Sequence, residues 1–153
     1  MLITQKSQYA LRALYELARR RGDGPVKISE IAGAQKIPHR FLEVILSQLR
    51  RSGMVDSKRG YHGGYVLSRE PEKISVGDVL RFLQQTTSPE QCIACETKYN
   101  CPFMGDCVFM PMWNKVRMAI FDIYDKTTIQ ELLTTDKRTK VGSGRIRKKT
   151  AAK

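Results

Sequence analysis

The amino-acid sequence predicts a mainly α-helical fold with one small β-hairpin. Apolar residues recur at helical spacing near the start of the chain, where Leu11, Leu14 and Leu17 form one stripe. A short second helix follows, and a third begins at Pro38, where a missing N–H costs little. The segment 54–68 alternates strand-forming residues around a glycine-rich turn. Together these features predict a winged helix-turn-helix domain.

The predicted helices have recognisable ends. Thr4 can cap a first helix from about Gln5 to Arg20, and the glycines that follow can end it. Ser75 can cap a fourth helix that begins at Val76. In the third helix, helical spacing places five apolar side chains toward the core: Phe41, Leu42, Ile45, Leu46 and Leu49.

A long helix is predicted near the C-terminal end, and its apolar face is broader than one small domain needs to cover. We therefore expect it to pair with the same helix of a second subunit, although it could also belong to the core of one chain. Four segments result: a winged helix-turn-helix domain over 1–86, a cysteine-rich loop over 87–109, a dimerisation helix with a short last helix over 110–135, and a basic, disordered tail over 136–153.

Composition indicates a globular protein with an excess of positive charge. The 153 residues are 41% hydrophobic and 27% charged, and the net charge is +12. Much of this excess lies after Asp136, where the chain has basic residues and no acid. No apolar run approaches the roughly 20 residues that span a bilayer, and the N-terminus lacks the apolar core of a signal peptide. We expect a cytoplasmic protein with no membrane partner.

Polar and basic residues are concentrated where such a fold would face double-stranded DNA. The second helix of a helix-turn-helix places its outer face in the major groove, and a wing with a basic tip can contact a phosphate or the minor groove. Amphipathic helices alone would suit any three-helix core, but the basic wing tip favours DNA binding. The predicted DNA contacts are His39, Arg40, Glu43 and Gln48 on the third helix, and Lys58, Arg59, Tyr61 and His62 on the wing.

The four cysteines lie in one stretch with the spacing C-x2-C-x5-C-x5-C: Cys92, Cys95, Cys101 and Cys107. In a reducing compartment, clustered thiols are more often metal ligands or redox centres than structural disulfides. Structural zinc usually uses two separated Cys-x-x-Cys pairs, whereas iron–sulfur clusters accept broader spacings. The spacing favours an iron–sulfur cluster, [2Fe-2S] or [4Fe-4S], with zinc or thiol redox chemistry as alternatives.

The sequence gives little support to an enzyme. The only two histidines, His39 and His62, fall in the elements that would face DNA, so a Cys–His nucleophile pair would have to cross the domain. The sequence contains neither a phosphate-binding loop nor a dinucleotide-binding glycine motif. We therefore expect a DNA-binding regulator.

Four blocks of sequence carry a resemblance to a known family. They are Leu2-Ile3-Thr4…Tyr9-Ala10-Leu11-Arg12-Ala13-Leu14, Ile37-Pro38…Phe41-Leu42-Glu43…Leu49-Arg50, Gly53-Met54-Val55…Arg59-Gly60-Tyr61-His62-Gly63-Gly64-Tyr65, and the cysteines. From Met1 to about Leu133 the chain resembles the bacterial winged-helix regulators that include the iron–sulfur cluster regulator IscR and the nitric-oxide-sensing repressor NsrR. The resemblance implies a homodimer that binds a palindromic operator and holds a cluster in the loop before its dimerisation helix.

The resemblance also implies a ligand set. The three cysteines of the family fall on Cys95, Cys101 and Cys107, and Cys92 is additional. The family supplies its fourth ligand as a histidine or an aspartate, at positions where this sequence has Met110 and Gln8 respectively. An all-cysteine site that uses Cys92 is therefore the expected arrangement.

The DNA contacts of related proteins can be carried over in the same way. A glutamate of the recognition helix and an arginine of the wing contact DNA in the family, and they match Glu43 and Arg59. A glutamate can accept a hydrogen bond from the amino group of cytosine, and Arg40 beside it could bind guanine or phosphate.

Overall fold

The structure is a computed structural model that describes residues 3–84, 103 and 106–136. Within them the elements are α1 (Gln5–Arg19), α2 (Ile28–Gln35), α3 (His39–Arg51), β1 (Val55–Lys58), β2 (Gly64–Leu67), a 3-10 helix (Pro71–Lys73), α4 (Val76–Gln84), α5 (Met110–Lys126) and α6 (Ile129–Thr135). The predicted fold class, mainly α-helical with a small β-wing, is confirmed. Three predicted ligands, Cys92, Cys95 and Cys101, lie outside the described residues, as does the predicted tail from residue 137 onward.

Helix α1 lies at the centre of the fold and contacts α2, α3, α4 and α6. Its start is set by Thr4, whose hydroxyl accepts a hydrogen bond from the Ser7 N–H at 3.2 Å. Ala10 and Leu14 are fully buried on it, and Ile129 brings the start of α6 into the same core. The sequence-based boundaries of α1 agree with the structure to within one residue.

The turn between α2 and α3 is tight. Lys36 adopts a left-handed conformation with φ 54° and ψ 45°, and the N–H of Ile37 then donates to the carbonyl of Ala32 at 3.0 Å. Ile37 is buried. This turn places α3 across α1, which is the arrangement of a helix-turn-helix.

The prediction that Phe41 faces the core is wrong. Its side chain is 61% exposed, whereas Leu42, Ile45 and Leu46 are buried. At 3.6 residues per turn, Phe41 lies about a quarter turn from the centre of the buried stripe of α3. Four residues suffice to fill the contact of α3 with the core, and Phe41 is left at its edge.

The wing is the antiparallel hairpin of β1 and β2, in which Val55 pairs with Leu67 and Lys58 with Gly64. A bridge joins Tyr65 to Val26, just before α2, with N–O distances of 2.9 and 2.8 Å. The wing is therefore hydrogen-bonded to the helix-turn-helix as well as to itself.

Close backbone approach explains two of the wing glycines. A Cβ on Gly63 would lie 2.3 Å from the Lys58 carbonyl oxygen, and one on Gly64 would lie 2.5 Å from the Val26 carbonyl oxygen. Only Gly60 in this turn has a positive φ, at 113°. At Gly63 and Gly64 the absence of a side chain therefore allows close approach to the protein's own backbone.

Helix α5 packs along α4 through a cluster of charges. The Arg81 guanidinium lies 2.7 Å from Asp125 Oδ1 on α5 and 3.2 Å from Asp78 Oδ1 on α4. These carboxylates hold the pKa of Arg81 above its ordinary value, with the hydrogen bond to Asp125 as the main cause. Gly77 provides the space, since a Cβ there would lie 1.8 Å from Asp125 Oδ1. We call Arg81, Asp78 and Asp125 the α4–α5 clasp.

No residue of α5 is buried in this single chain, although the helix is 17 residues long. Its exposed apolar side chains are Met112, Val116, Met118 and Ile123. Among the described residues, no helix is both long enough and apolar enough to cross a membrane.

Among the described residues, one charged side chain, that of Glu16, is buried in the core of the domain, and no sequence pattern predicted it. The Glu16 carboxylate accepts hydrogen bonds from Arg19 and Arg20, each at 2.6 Å, and from Gln35 of α2 at 2.8 Å. Burial raises the pKa of Glu16, but the hydrogen bonds from Arg19, Gln35 and Arg20 outweigh burial and hold it below the ordinary value. The carboxylate therefore ties the end of α1 to the end of α2.

We expect Glu16→Gln to lower the free energy of unfolding by about 1.5–3 kcal/mol at neutral pH, because hydrogen bonds to a charged group are lost. Since the pKa of Glu16 is lower in the folded chain than in the unfolded chain, the ionised carboxylate stabilises the fold above pH 4.5, the ordinary value. This contribution is lost as the pH falls through the lowered pKa. Urea unfolding of the wild type and the variant at several pH values measures this difference in the free energy of unfolding.

The exposed Glu131→Gln is the matched control, and it should change stability by less than about 0.5 kcal/mol. Equal stability of the Glu16 variant and the control at neutral pH would contradict a structural role for the buried carboxylate.

Candidate nucleic-acid interface

The first turns of α3 present three of the predicted contacts to solvent. His39, Arg40 and Glu43 are all exposed. The imidazole Nδ1 of His39 lies 3.5 Å from Glu43 Oε1, so these two side chains form one row along the helix. The N-terminal part of a recognition helix is the part that reaches base edges in the major groove.

The fourth predicted contact on α3 is placed differently. Gln48 is half-buried, and within the part of the chain that the structure describes its Oε1 atom is buried without a hydrogen-bond partner. Its amide oxygen therefore faces the protein. The structure brings His39, Arg40 and Glu43 together on the outer surface and does not place Gln48 with them.

The tip of the wing carries the other four predicted contacts, and all four are exposed: Lys58, Arg59, Tyr61 and His62. The rings of Tyr61 and His62 meet edge to face with centroids 5.0 Å apart, and Tyr61 is 87% exposed. An aromatic side chain this exposed at a basic tip can pack on a sugar or a base.

Lys27 also belongs to the wing surface, although no sequence pattern predicted it there. Its Nζ lies 5.5 Å from the centre of the Tyr61 ring, a cation–π arrangement. Lys27 follows Val26, the residue that pairs with β2. Short-range sequence patterns cannot predict that Lys27 lies beside Tyr61, because the bridge between Val26 and Tyr65 joins distant parts of the chain.

The base of the wing is tied to the helices by two cations. Arg69 donates to the backbone carbonyl of Ser52 at the end of α3, at 3.2 Å. Arg21, just after α1, forms a bidentate ion pair with Glu70. Hydrogen bonding to Arg21 holds the pKa of Glu70 below its ordinary value. The wing therefore has a defined orientation relative to α3.

Cys107 is the one predicted ligand among the described residues, and it lies three positions before Met110, the first residue of α5. Its side chain is half-buried, and its carbonyl accepts a hydrogen bond from the Met110 N–H at 3.0 Å. The described residues contain no group of three or more His, Cys, Asp or Glu side chains arranged to hold a metal ion. Gln8, at the position of the family's aspartate, is exposed on α1.

A family model described as "Rrf2: Iron-dependent Transcriptional regulator" matches residues 3–135. The chain belongs to this family. It is a DNA-binding transcription regulator with the winged-helix fold of the family, and its resemblance to the IscR and NsrR group is confirmed.

Individual relatives give the same assignment. The HTH-type transcriptional regulator CymR of Bacillus subtilis is 34% identical over 132 residues, which are 86% of this chain and 89% of CymR. IscR of Sodalis glossinidius is 31% identical over 136 residues, 89% of this chain and 81% of that one. The solved structure of CymR, named there the global cysteine regulator of B. subtilis, superposes with a TM-score of 0.73 at 32% identity and covers 89% of this chain and 98% of CymR.

We expect Arg59→Ala to weaken DNA binding about tenfold and to lower the salt dependence of binding, because a cation at the wing tip is lost. Lys73→Ala is the matched control: it removes an exposed cation from the 3-10 helix beside α6 and should bind as the wild type does. Fluorescence anisotropy on a duplex selected from a random library, at several salt concentrations, measures both. Equal affinity of the two variants would remove Arg59 from the interface.

Proposed function

We propose that the protein is a homodimeric transcription regulator whose affinity for a palindromic operator is controlled by an iron–sulfur cluster. The ligands would be Cys92, Cys95, Cys101 and Cys107. The observation that carries the proposal is the presence of four thiols in one stretch of a chain of the Rrf2 family, with Cys107 hydrogen-bonded to the first residue of α5. The proposed cytoplasmic location would keep these thiols reduced.

The donor set fits such a centre. Thiolates are the ligands that iron–sulfur clusters use, and four of them are present in the stretch 92–107. The described member, Cys107, is half-buried and does not form a disulfide in the structure. A bound cluster would supply a centre whose oxidation state and integrity respond to redox conditions, nitric oxide or iron supply.

The chain's own residues offer a path from this stretch to DNA. The cysteine stretch connects the end of α4 with the start of α5, and the α4–α5 clasp joins these helices again farther along. A displacement of Cys107 would move the first turn of α5, which shares a hydrogen bond with it. The clasp would pass this movement to α4, which packs on α1.

The dimer is supported by α5. Met112, Val116 and Ile123 follow helical spacing and are exposed in the single chain, and no residue of the helix is buried. An apolar helical stripe of this kind is stabilised by a matching stripe, which a second copy of the chain provides in a two-fold dimer. Two copies would present two recognition helices, as a palindromic operator requires.

A second candidate is a zinc-bound or thiol-redox regulator of the same fold. The observation that favours it is the relationship to CymR, which is named a global cysteine regulator. Structural zinc also accepts four cysteine ligands, and exposed thiols with a lowered pKa can be oxidised. This candidate keeps the DNA surface and the dimer and changes only the chemistry at the cysteines.

Anaerobic purification of the full chain, followed by visible and electron paramagnetic resonance spectra and iron, sulfide and zinc analysis, separates the candidates. Visible absorbance with iron and acid-labile sulfide is the expected result. One zinc per chain without sulfide would favour the second candidate. Neither absorbance nor iron after reconstitution would contradict the cluster proposal.

We expect Cys107→Ser to lose most of the bound iron while the helical circular dichroism remains, because the winged domain has its own core. Cys92→Ser should also lose iron if Cys92 is the fourth ligand. Met110→Ala is the control at the family's histidine position, and its iron content should be unchanged. Wild-type iron content in the Cys107 variant would remove that residue from the ligand set.

The α4–α5 clasp can be tested with a glycine. Gly77→Ala would displace the Asp125 carboxylate, so we expect the variant to retain its iron but to lose most of the difference in operator affinity between loaded and unloaded protein. Gly33→Ala in α2 makes the same change where a Cβ meets nothing within 4 Å. That control should be stabilised by about 0.5–1 kcal/mol and respond normally. A normal response of the Gly77 variant would rule out the clasp as the connection.

A further inference from the structure

The recognition helix α3 exposes two large apolar side chains beside its predicted base contacts. Phe41 is 61% exposed and Val44 is 57% exposed, whereas Leu42 and Leu46 on the same helix are fully buried. Neither exposed residue is explained by the core or by the charge-based DNA contacts. Both lie on the helix that would enter the major groove, where they could contact an apolar group of a base.

These two side chains line a shallow groove of about 330 Å³ between α3 and the start of α1. The other lining residues are Lys6, Arg40 and Ile45. Both charged residues at this groove are cations, which complement the phosphates of DNA. An apolar strip with a cationic rim therefore fits a groove of DNA better than it fits the apolar surface of another protein.

The spacing along α3 sets two rows side by side. His39 and Glu43 form a polar row, with 3.5 Å between Nδ1 and Oε1, and Arg40 and Val44 form the adjacent row, also four residues apart. Val44 directly follows Glu43 in the sequence. When the polar row approaches base edges, Val44 approaches a neighbouring base step.

We propose that Val44, with Phe41 beside it, contacts the C5-methyl group of thymine and so makes the protein select a T·A pair in each half of its operator. The inference rests on the proposed binding of operator DNA through α3. In the major groove the thymine methyl is the apolar feature that distinguishes the base pairs, whereas the other identifying groups are hydrogen-bond donors and acceptors. A valine at a base-reading position has no other complementary group there.

The test uses a base analogue that removes only the methyl group. The purified full chain, both as isolated anaerobically and after iron removal, selects duplexes from a random library. Each thymine of the enriched duplex is then replaced in turn by deoxyuridine, and affinity is measured by anisotropy. At one or two positions in each half-site we expect a loss of about fourfold, the effect of one buried methyl group. Deoxyuridine outside the protected footprint is the matched control and should have no effect.

Val44→Ala tests whether Val44 is the residue that contacts the thymine methyl group. The variant should show a smaller difference in affinity between the thymine and deoxyuridine duplexes than the wild type does, because Phe41 and the alanine methyl still offer part of the apolar contact. Arg59→Ala should weaken binding to both duplexes and keep the full difference. An unchanged difference in the Val44 variant would show that Val44 does not contact the methyl group. The wild-type measurement stands by itself should the Val44 variant fold poorly. Light scattering should give the same mass for wild type and variant.

Three other results would overturn the inference. Equal binding of every deoxyuridine duplex by the wild type would show that no methyl group is read, and the proposed DNA-binding function would survive that result. Loss of the dimer in the Val44 variant would show that a second copy of the chain covers this surface. Failure of both protein forms to enrich any duplex would contradict the operator-binding function itself, and the inference with it.

Discussion

The packing of α3 against α1 is the constraint on which the candidate nucleic-acid interface depends. Leu42, Leu46 and Leu49 are fully buried in the core that α1 organises. Each buried leucine side chain contributes about 2 kcal/mol, so a rotation of α3 that exposed even two of them would cost a large part of the stability of a small domain. The outward directions of Glu43 and Val44 are therefore fixed by the residues on the opposite side of the helix.

Helix α5 is held in a different way. It buries no residue in the single chain, and charged groups of the α4–α5 clasp contribute to its attachment. Partly exposed ion pairs contribute up to about 1 kcal/mol each, much less than the apolar contacts of α3. A small change in free energy at the start of α5 can therefore move this helix without disturbing the core. That difference in stiffness suits the proposed control, in which a change near Cys107 would reach DNA without unfolding the domain.

Periodicity and capping residues were sufficient to predict the helices, the wing and the fold class, because they depend on local sequence. The one wrong prediction, for Phe41, and the features that the sequence did not reveal concern long-range contacts. Phe41 fits the apolar stripe of α3 by spacing, but its side chain stays exposed because the contact between α3 and α1 is too narrow to include it. Glu16 resembles a solvent-exposed helix charge until Gln35 is placed beside it, and Lys27 joins the wing only through the Val26 bridge. Gln48 fits the polar face of α3 by spacing, yet its amide oxygen faces inward.

The wing and the helix-turn-helix are joined so closely that any displacement of one is expected to move the other with it. Gly64 lies against the backbone of Val26, Tyr65 pairs with the same residue, and Lys27 covers Tyr61 at the tip. Opening the wing would break backbone hydrogen bonds of 2.8 and 2.9 Å and expose their partners. Relative motion costs less between α4 and α5, where partly exposed ion pairs of the α4–α5 clasp form part of the contact. The proposed control of DNA affinity is therefore expected to act on the distance and angle between the two intact winged domains of the proposed dimer, and not on the shape of either one.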